Sequence, residues 1–132
     1  MTEAKDKIRN VILCEDIREE IGNKKSLMGV LGGDIVVPAF PANIQIAVYF
    51  EYVPDLDEVD RLIIEFKLWH DQVEIAQGVM EATIEPNKMV TLVLPRGYTS
   101  FEKEMTFRMT AAVRGGSEFE ILSKKIIKGA AS

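Results

Sequence analysis

Cysteine and histidine are nearly absent from this sequence, which contains a single residue of each, Cys14 and His70. One cysteine excludes an internal disulfide and any metal site built from several thiolates. Zinc sites draw most of their ligands from these two residue types, so the chain has too few ligands for one. A chain without disulfides suits a reducing compartment, and we expect a cytoplasmic protein.

Long apolar runs and dense positive charge are missing as well. No stretch approaches the roughly 18 apolar residues of a membrane span. Residues 1–9 include acids where a secretory signal carries positive charge only. The 16 basic residues are outnumbered by 21 acidic ones, which gives a net charge of −5. Nucleic acids require a dense positive surface, so we expect no nucleic acid as a partner. Because the sequence has no apolar run of sufficient length, we expect no membrane as a partner either.

Alternation of apolar and polar residues is the strongest pattern that the sequence does contain. In residues 104–114, Met105, Phe107 and Met109 alternate with polar side chains, as expected for a strand with one face on a core. Similar or weaker alternation predicts further strands over 10–18, 26–37, 44–51, 62–69, 73–84, 88–94 and 117–127. The sequence therefore predicts an all-β fold, an antiparallel β-sandwich of about eight strands with an immunoglobulin-like or C2-like architecture. A closed barrel is the alternative.

Glycine and proline mark the predicted connections between these strands. Gly115 and Gly116 lie between two alternating segments, and glycine accepts the positive φ that a tight hairpin turn requires. Proline lacks the N–H group that a strand donates, so residues 38–41, which begin and end with proline, predict an extended crossing. Within residues 73–84 the apolar side chains change from odd to even positions, which predicts a β-bulge at Gly78.

An apolar strand over residues 11–18 contains Cys14, Glu15, Asp16 and Arg18, and a Leu-x-Gly-Val strand follows over residues 27–30. With these motifs the first forty residues resemble the opening of a family of small bacterial proteins of unknown function. The resemblance implies a bacterial origin and a β fold. It implies no activity and no site.

Cys14 is the first candidate for chemistry, because two carboxylates follow it and the chain has one imidazole, His70. A cysteine nucleophile needs a low thiol pKa, and adjacent carboxylates raise that pKa. We therefore expect a buried structural cysteine, and a Cys14–His70 pair is the alternative. His70 follows Trp69 at a predicted strand end, where we expect a solvated turn residue.

An acidic loop is the second candidate. Four carboxylates, those of Asp55, Asp57, Glu58 and Asp60, lie within six residues. Calcium takes six to eight oxygen ligands, and C2-like domains collect such ligands from loops at one end of the sandwich. The loop is therefore a candidate metal site, and a solvated acidic loop without metal is the alternative.

A third candidate is a binding surface of aromatic and basic side chains. Tyr49 and Trp69 fall on the polar positions of their predicted strands, and outward-facing aromatic side chains often mark partner surfaces. Arg96 and Tyr98 lie in a predicted loop that lines a binding cleft or closes the end of the sandwich.

These observations favour a non-catalytic protein-interaction or assembly module whose partner is another protein or a second copy of the chain. One alternative is a calcium- or small-ligand-binding module that uses residues 55–60. The other is an enzyme of unknown class, which depends on Cys14 with His70 or on unpaired carboxylates such as Glu51 and Asp60. No cofactor is expected. We expect one domain over residues 1–132, with flexible ends at 1–8 and 129–132.

Overall fold

The computed structural model describes residues 3–56, 58, 60–86 and 88–129, except for the side chain of Asp60. This part of the chain contains a four-residue helix, α1, and nine strands. In chain order the elements are α1 (Ala4–Lys7), β1 (Ile8–Glu20), β2 (Lys24–Val30), β3 (Ile35–Val37), β4 (Ala42–Tyr52), β5 (Asp60–His70), β6 (Val73–Ile84), β7 (Val90–Phe101), β8 (Met105–Val113) and β9 (Phe119–Lys128).

The strands form two sheets, one of four strands in the order β2-β1-β4-β7 and one of five in the order β3-β9-β8-β5-β6. The predicted all-β fold of two sheets is confirmed. The closed barrel is wrong, because each sheet ends at two edge strands. Within the described residues, no helix has the length and hydropathy that a membrane crossing requires.

The prediction of a purely antiparallel sandwich is wrong at β3, which pairs with β9 in parallel. The predicted strand 26–37 is in fact two strands, β2 and β3, which belong to different sheets. Gly32 and Gly33 lie in the connection between them, where Gly33 has a φ of 69°. At this bend the chain passes from the four-stranded to the five-stranded sheet. The bend divides the predicted strand into β2 and β3, a division that alternation alone does not reveal.

Apolar side chains from both sheets meet in one core, as the alternation predicted. Phe50 of β4 is 0% exposed, as are Ile64 of β5 and both Phe107 and Met109 of β8. Burying one such side chain contributes about 1.5–3 kcal/mol, so these alternating positions supply much of the stability.

The strand predicted over 88–94 is β7, which begins at Val90 and continues to Phe101, through the residues where a loop was predicted. Arg96 and Tyr98 lie in β7, which pairs with β4 up to Phe101. Pro95 is tolerated there because β7 is an edge strand, where a missing N–H does not interrupt a ladder. The register places Leu94 opposite Val48 and Gly97 opposite Ile46, so Pro95 and Arg96 form a bulge.

The bulge predicted at Gly78 lies elsewhere in β6. Leu68 pairs with Ala76 and Trp69 pairs with Glu74, so Ile75 is the extra residue, whereas Gly78 is in regular register with Phe66. Glycine is needed at position 78 for space, because a Cβ there would lie 2.6 Å from Phe66 Cζ.

The hairpin predicted at Gly115 and Gly116 is confirmed, with a connection over 114–118, and the crossing predicted at 38–41 is present but is bent and not extended. Gly116 N–H donates to the carbonyl of Val113 at 2.7 Å, and Gly115 supplies the positive φ of 89° between β8 and β9. Residues 38–41 cross from β3 in one sheet to β4 in the other.

Candidate functional site

The described part of the acidic loop is held by a lysine that sequence reasoning did not identify. Lys7 Nζ lies 3.0 Å from Asp55 Oδ2 and 2.8 Å from Glu58 Oε1. The Tyr52 hydroxyl donates to the other Glu58 oxygen at 2.5 Å. Burial alone lowers the pKa of Lys7, but its hydrogen bonds to these carboxylates raise it overall. Burial and the bond to Glu58 raise the pKa of Tyr52 to about 12. Lys7 therefore places a positive charge beside two of the four predicted metal ligands.

The calcium site itself stays a prediction. Asp57 and the side chain of Asp60 lie outside the described residues. Among the side chains that are described, no group of three or more His, Cys, Asp or Glu is placed to hold a metal ion.

Cys14 and His70 lie in different sheets. Cys14 is 0% exposed in β1, as predicted, and its thiol donates to the carbonyl of Asp16 at 3.4 Å. Burial is the main cause that raises its pKa, so the thiol lacks the activation that a nucleophile requires.

His70 is not the solvated turn residue that was predicted. Its ring stacks on Phe101 with a centroid separation of 4.5 Å, and Nε2 lies 2.9 Å from Thr99 Oγ1. These two partners belong to β7 of the opposite sheet, which no local pattern around position 70 reveals. Burial lowers the pKa of His70.

The structure does not bring the four predicted binding residues together. Tyr49 lies on β4 of the four-stranded sheet and Trp69 on β5 of the five-stranded sheet, so they form no common patch. The Trp69 indole donates to Thr110 Oγ1 at 2.9 Å. Arg96 Nη1 lies 3.7 Å from Asp16 Oδ2. Tyr98, on the same strand as Arg96, is 70% exposed.

Tyr49 lies in a polar concavity of about 1060 Å³. Its hydroxyl donates to Glu51 at 2.6 Å, and the Asn10 amide donates to the second oxygen of the same carboxylate. The hydrogen bond from Tyr49, followed by the one from Asn10, lowers the pKa of Glu51. A general acid needs a raised pKa, so Glu51 is poorly suited to that role.

The edges of the two sheets differ in how open they are to another chain. In the described structure they are β2, β7, β3 and β6. Strand β3 has three residues, β7 contains Pro95 and a bulge, and β2 has seven residues that begin with two lysines. In contrast, β6 has 12 residues with neither proline nor lysine.

Apolar side chains along β6 are open to solvent. Val73 is 64% exposed, Ile75 is 40% exposed and Val79 is 48% exposed. The sequence signal for this edge was present in the apolar residues at odd positions. Alternation alone predicts that these residues are buried, because strand order is not visible in a single sequence.

An apolar cleft of about 390 Å³ lies beside this edge, between β6 and β7. Its lining residues include Leu68, Ile75, Leu94, Tyr98 and the His70–Thr99 pair. The exposed ring of Tyr98 and the exposed edge of β6 therefore border the same depression. We call β6 together with this cleft the β6 edge surface.

Comparison with models of protein families gives no match, and comparison with curated proteins gives none either. The geometry of the described residues therefore carries the functional argument.

Proposed function

We propose that this protein is a non-catalytic protein-interaction module, and that β6 accepts an extended segment of another polypeptide chain as an additional strand. The observation that carries the proposal is the open side of β6. It is a 12-residue edge strand without proline or lysine, and its residues 73–77 are all exposed. Proteins usually protect such an edge, because its unpaired N–H and C=O groups pair readily with other chains.

The main chain of β6 would supply most of the affinity. Every second residue of an edge strand points its N–H and C=O outwards, so a 12-residue strand offers about six residues for pairing. A net contribution of about 0.5–1.5 kcal/mol per hydrogen bond makes such pairing substantial. Val79 and the cleft beside Ile75 would select apolar side chains at alternate positions of the added segment.

The candidate catalytic groups support a non-catalytic role. The Cys14 thiol is buried and its pKa is raised. The Glu51 carboxylate is held by two hydrogen bonds that lower its pKa, and His70 is held by Phe101 and Thr99. We further propose an immunoglobulin-like or C2-like classification for the sandwich, a bacterial origin and a cytoplasmic location.

A peptide-display experiment tests the acceptor strand. A library of 12-residue peptides is screened against the immobilised protein, and the selected peptides are then measured in solution with the protein at nanomolar concentration. We expect selected peptides to alternate apolar residues and to slow hydrogen exchange of β6 backbone amides. Val79→Lys, which adds a charge to the edge, should reduce binding at least tenfold. The matched control is Val30→Lys on the edge strand β2, where Val30 is 58% exposed. Binding that survives Val79→Lys, or no selected peptide at all, would contradict the proposal.

A second candidate function is the binding of a small polar ligand in the concavity around Tyr49. The specific observation is the hydrogen-bonded group of Asn10, Tyr49 and Glu51, which is fixed in place and faces this concavity. A thermal-shift panel of sugars and nucleotides tests it. A ligand that raises the melting temperature of the wild type but not of Glu51→Ala supports this function, and a panel without any shift opposes it.

A further inference from the structure

We infer that the segment accepted by β6 is β6 of a second copy of this chain, so that two copies form a two-fold symmetric dimer. The inference rests on the proposed function, since it uses the same acceptor edge. Antiparallel pairing of the two β6 strands would join two five-stranded sheets into one continuous sheet. The two-fold axis would pass near Gly78, in the middle of the strand.

Strand β6 can pair with itself in this way because an antiparallel ladder is symmetric under a two-fold rotation. Each residue of one copy then meets a residue of the other copy, and the same contact recurs on the opposite side of the axis. The part of β6 beyond its bulge, residues 76–84, is in regular register with β5, so it is extended enough to carry such a ladder.

The charges along β6 are compatible with self-pairing. The strand contains two acids, Glu74 and Glu81, at opposite ends. Each is paired with a base on the neighbouring strand β5. Lys67 Nζ lies 3.6 Å from Glu74 Oε1, and the Arg61 guanidinium contacts the Glu81 carboxylate. An antiparallel dimer brings Glu74 of one copy next to Glu81 of the other, but the two acids do not meet as uncompensated charges, because each is already paired with a base on β5 of its own copy.

Apolar surface on the same side of the molecule adds to the contact. The exposed side chains of Val73 and Ile75 lie on β6, and Tyr98 lies across the cleft on β7. The two-fold axis near Gly78 is perpendicular to the joined sheet, so the cleft beside each β6 strand lies next to the partner copy. Stable interfaces bury about 1,200 Å² or more, and these side chains enlarge what would otherwise be a narrow strand-to-strand contact.

Closure favours β6 of the second copy over its β2. Strand β2 begins with Lys24 and Lys25, and its basic end offers an alternative partner for the acids of β6. A contact between β6 and β2 would leave the complementary edges free on both copies, and such head-to-tail contacts continue into filaments or rings. In the β6–β6 contact, the open edges of the two copies pair with each other. No open β6 edge is then left, so the assembly contains two copies.

Sedimentation velocity and light scattering over about 1 µM to 1 mM test the dimer. The wild type should shift with concentration towards twice the chain mass of 14.8 kDa. Val79→Lys should raise the dimer dissociation constant at least tenfold, and Ile75→Lys is a second variant in case the first does not fold. Val30→Lys on β2 should dimerise as the wild type does. Circular dichroism checks the fold of each variant, and hydrogen exchange of β6 amides should slow as the protein concentration rises.

The outcomes separate this inference from the proposed function. A wild type that stays monomeric at 1 mM overturns the dimer, and if that monomer still captures peptides at β6 the proposed function stands. A monomer that captures no peptide overturns both. Assemblies that grow beyond two copies, or a dimer that Val30→Lys disrupts while Val79→Lys leaves it intact, place the contact on β2 and overturn the inference.

Discussion

The close contact between Gly78 and Phe66 leads to a quantitative prediction about β6. Replacing Gly78 with alanine would place a Cβ 2.6 Å from Phe66 Cζ and 2.8 Å from Phe66 Cε1. Both distances are shorter than van der Waals contact, and the Phe66 side chain belongs to the core, with 8% exposure. Either the ring or the backbone of β6 must therefore move.

The expected cost follows from two opposing effects. Overpacking a core costs about 1–3 kcal/mol. Replacing glycine by alanine within a strand otherwise stabilises by about 0.5–1 kcal/mol, because the unfolded chain loses freedom. Together these effects lower the free energy of unfolding of Gly78→Ala by about 0–2.5 kcal/mol relative to the wild type, and by about 1–3 kcal/mol relative to a glycine-to-alanine change that meets no such contact. For a chain of this size each 1 kcal/mol lowers Tm by roughly 4 °C.

Urea and thermal denaturation of Gly78→Ala and a matched control measure this effect. Gly97→Ala is the control, because Gly97 lies in the edge strand β7 and nothing comes within 4 Å of an added Cβ. We expect this control to be neutral or slightly stabilising. Adding Phe66→Leu to Gly78→Ala should cost less than the sum of the two single changes, since the smaller side chain relieves the contact. If Gly78→Ala is as stable as Gly97→Ala, the reasoning from the ring contact is wrong.

Other predictions concern the polar groups. Because the pKa of His70 is lowered in the folded protein, the unfolded chain binds a proton at His70 more readily. The free energy of unfolding should therefore fall as the pH drops from about 7 to about 5. Urea unfolding at these two pH values should show a smaller fall in the His70→Gln variant than in the wild type. Cys14→Ser should leave peptide binding unchanged, and the wild-type thiol should react with a thiol reagent only after unfolding. Lys7→Met should cost about 1–3 kcal/mol in urea unfolding, because Asp55 and Glu58 lose a charged hydrogen-bond partner. Calcium titrated into the wild type should release no measurable heat while Lys7 holds these carboxylates, and a clear binding isotherm would support the calcium alternative.

Local patterns were sufficient for the β fold and for most of the core. Alternation around Phe107 and Phe50 identified the buried face of two central strands, because a side chain's direction in a strand depends on its position in the chain alone. The turn at Gly115 was also predictable, since it depends on one residue's access to positive φ. The structural role of Cys14 was predictable from its two carboxylate neighbours, which disfavour a reactive thiol.

Tertiary structure decided which strands lie at the edges and which distant groups meet. The alternation in residues 73–84 predicts that Val73 and Ile75 face the core, yet they are exposed because β6 has β5 on one side and no described strand on the other. Lys7 lies 45 residues from Tyr52 in the sequence and contacts its hydroxyl at 3.3 Å. Sheet order and such contacts arise from packing between distant segments. The sequence by itself therefore determined that this chain folds into strands with one apolar face, whereas the three-dimensional arrangement decided that β6 is left open.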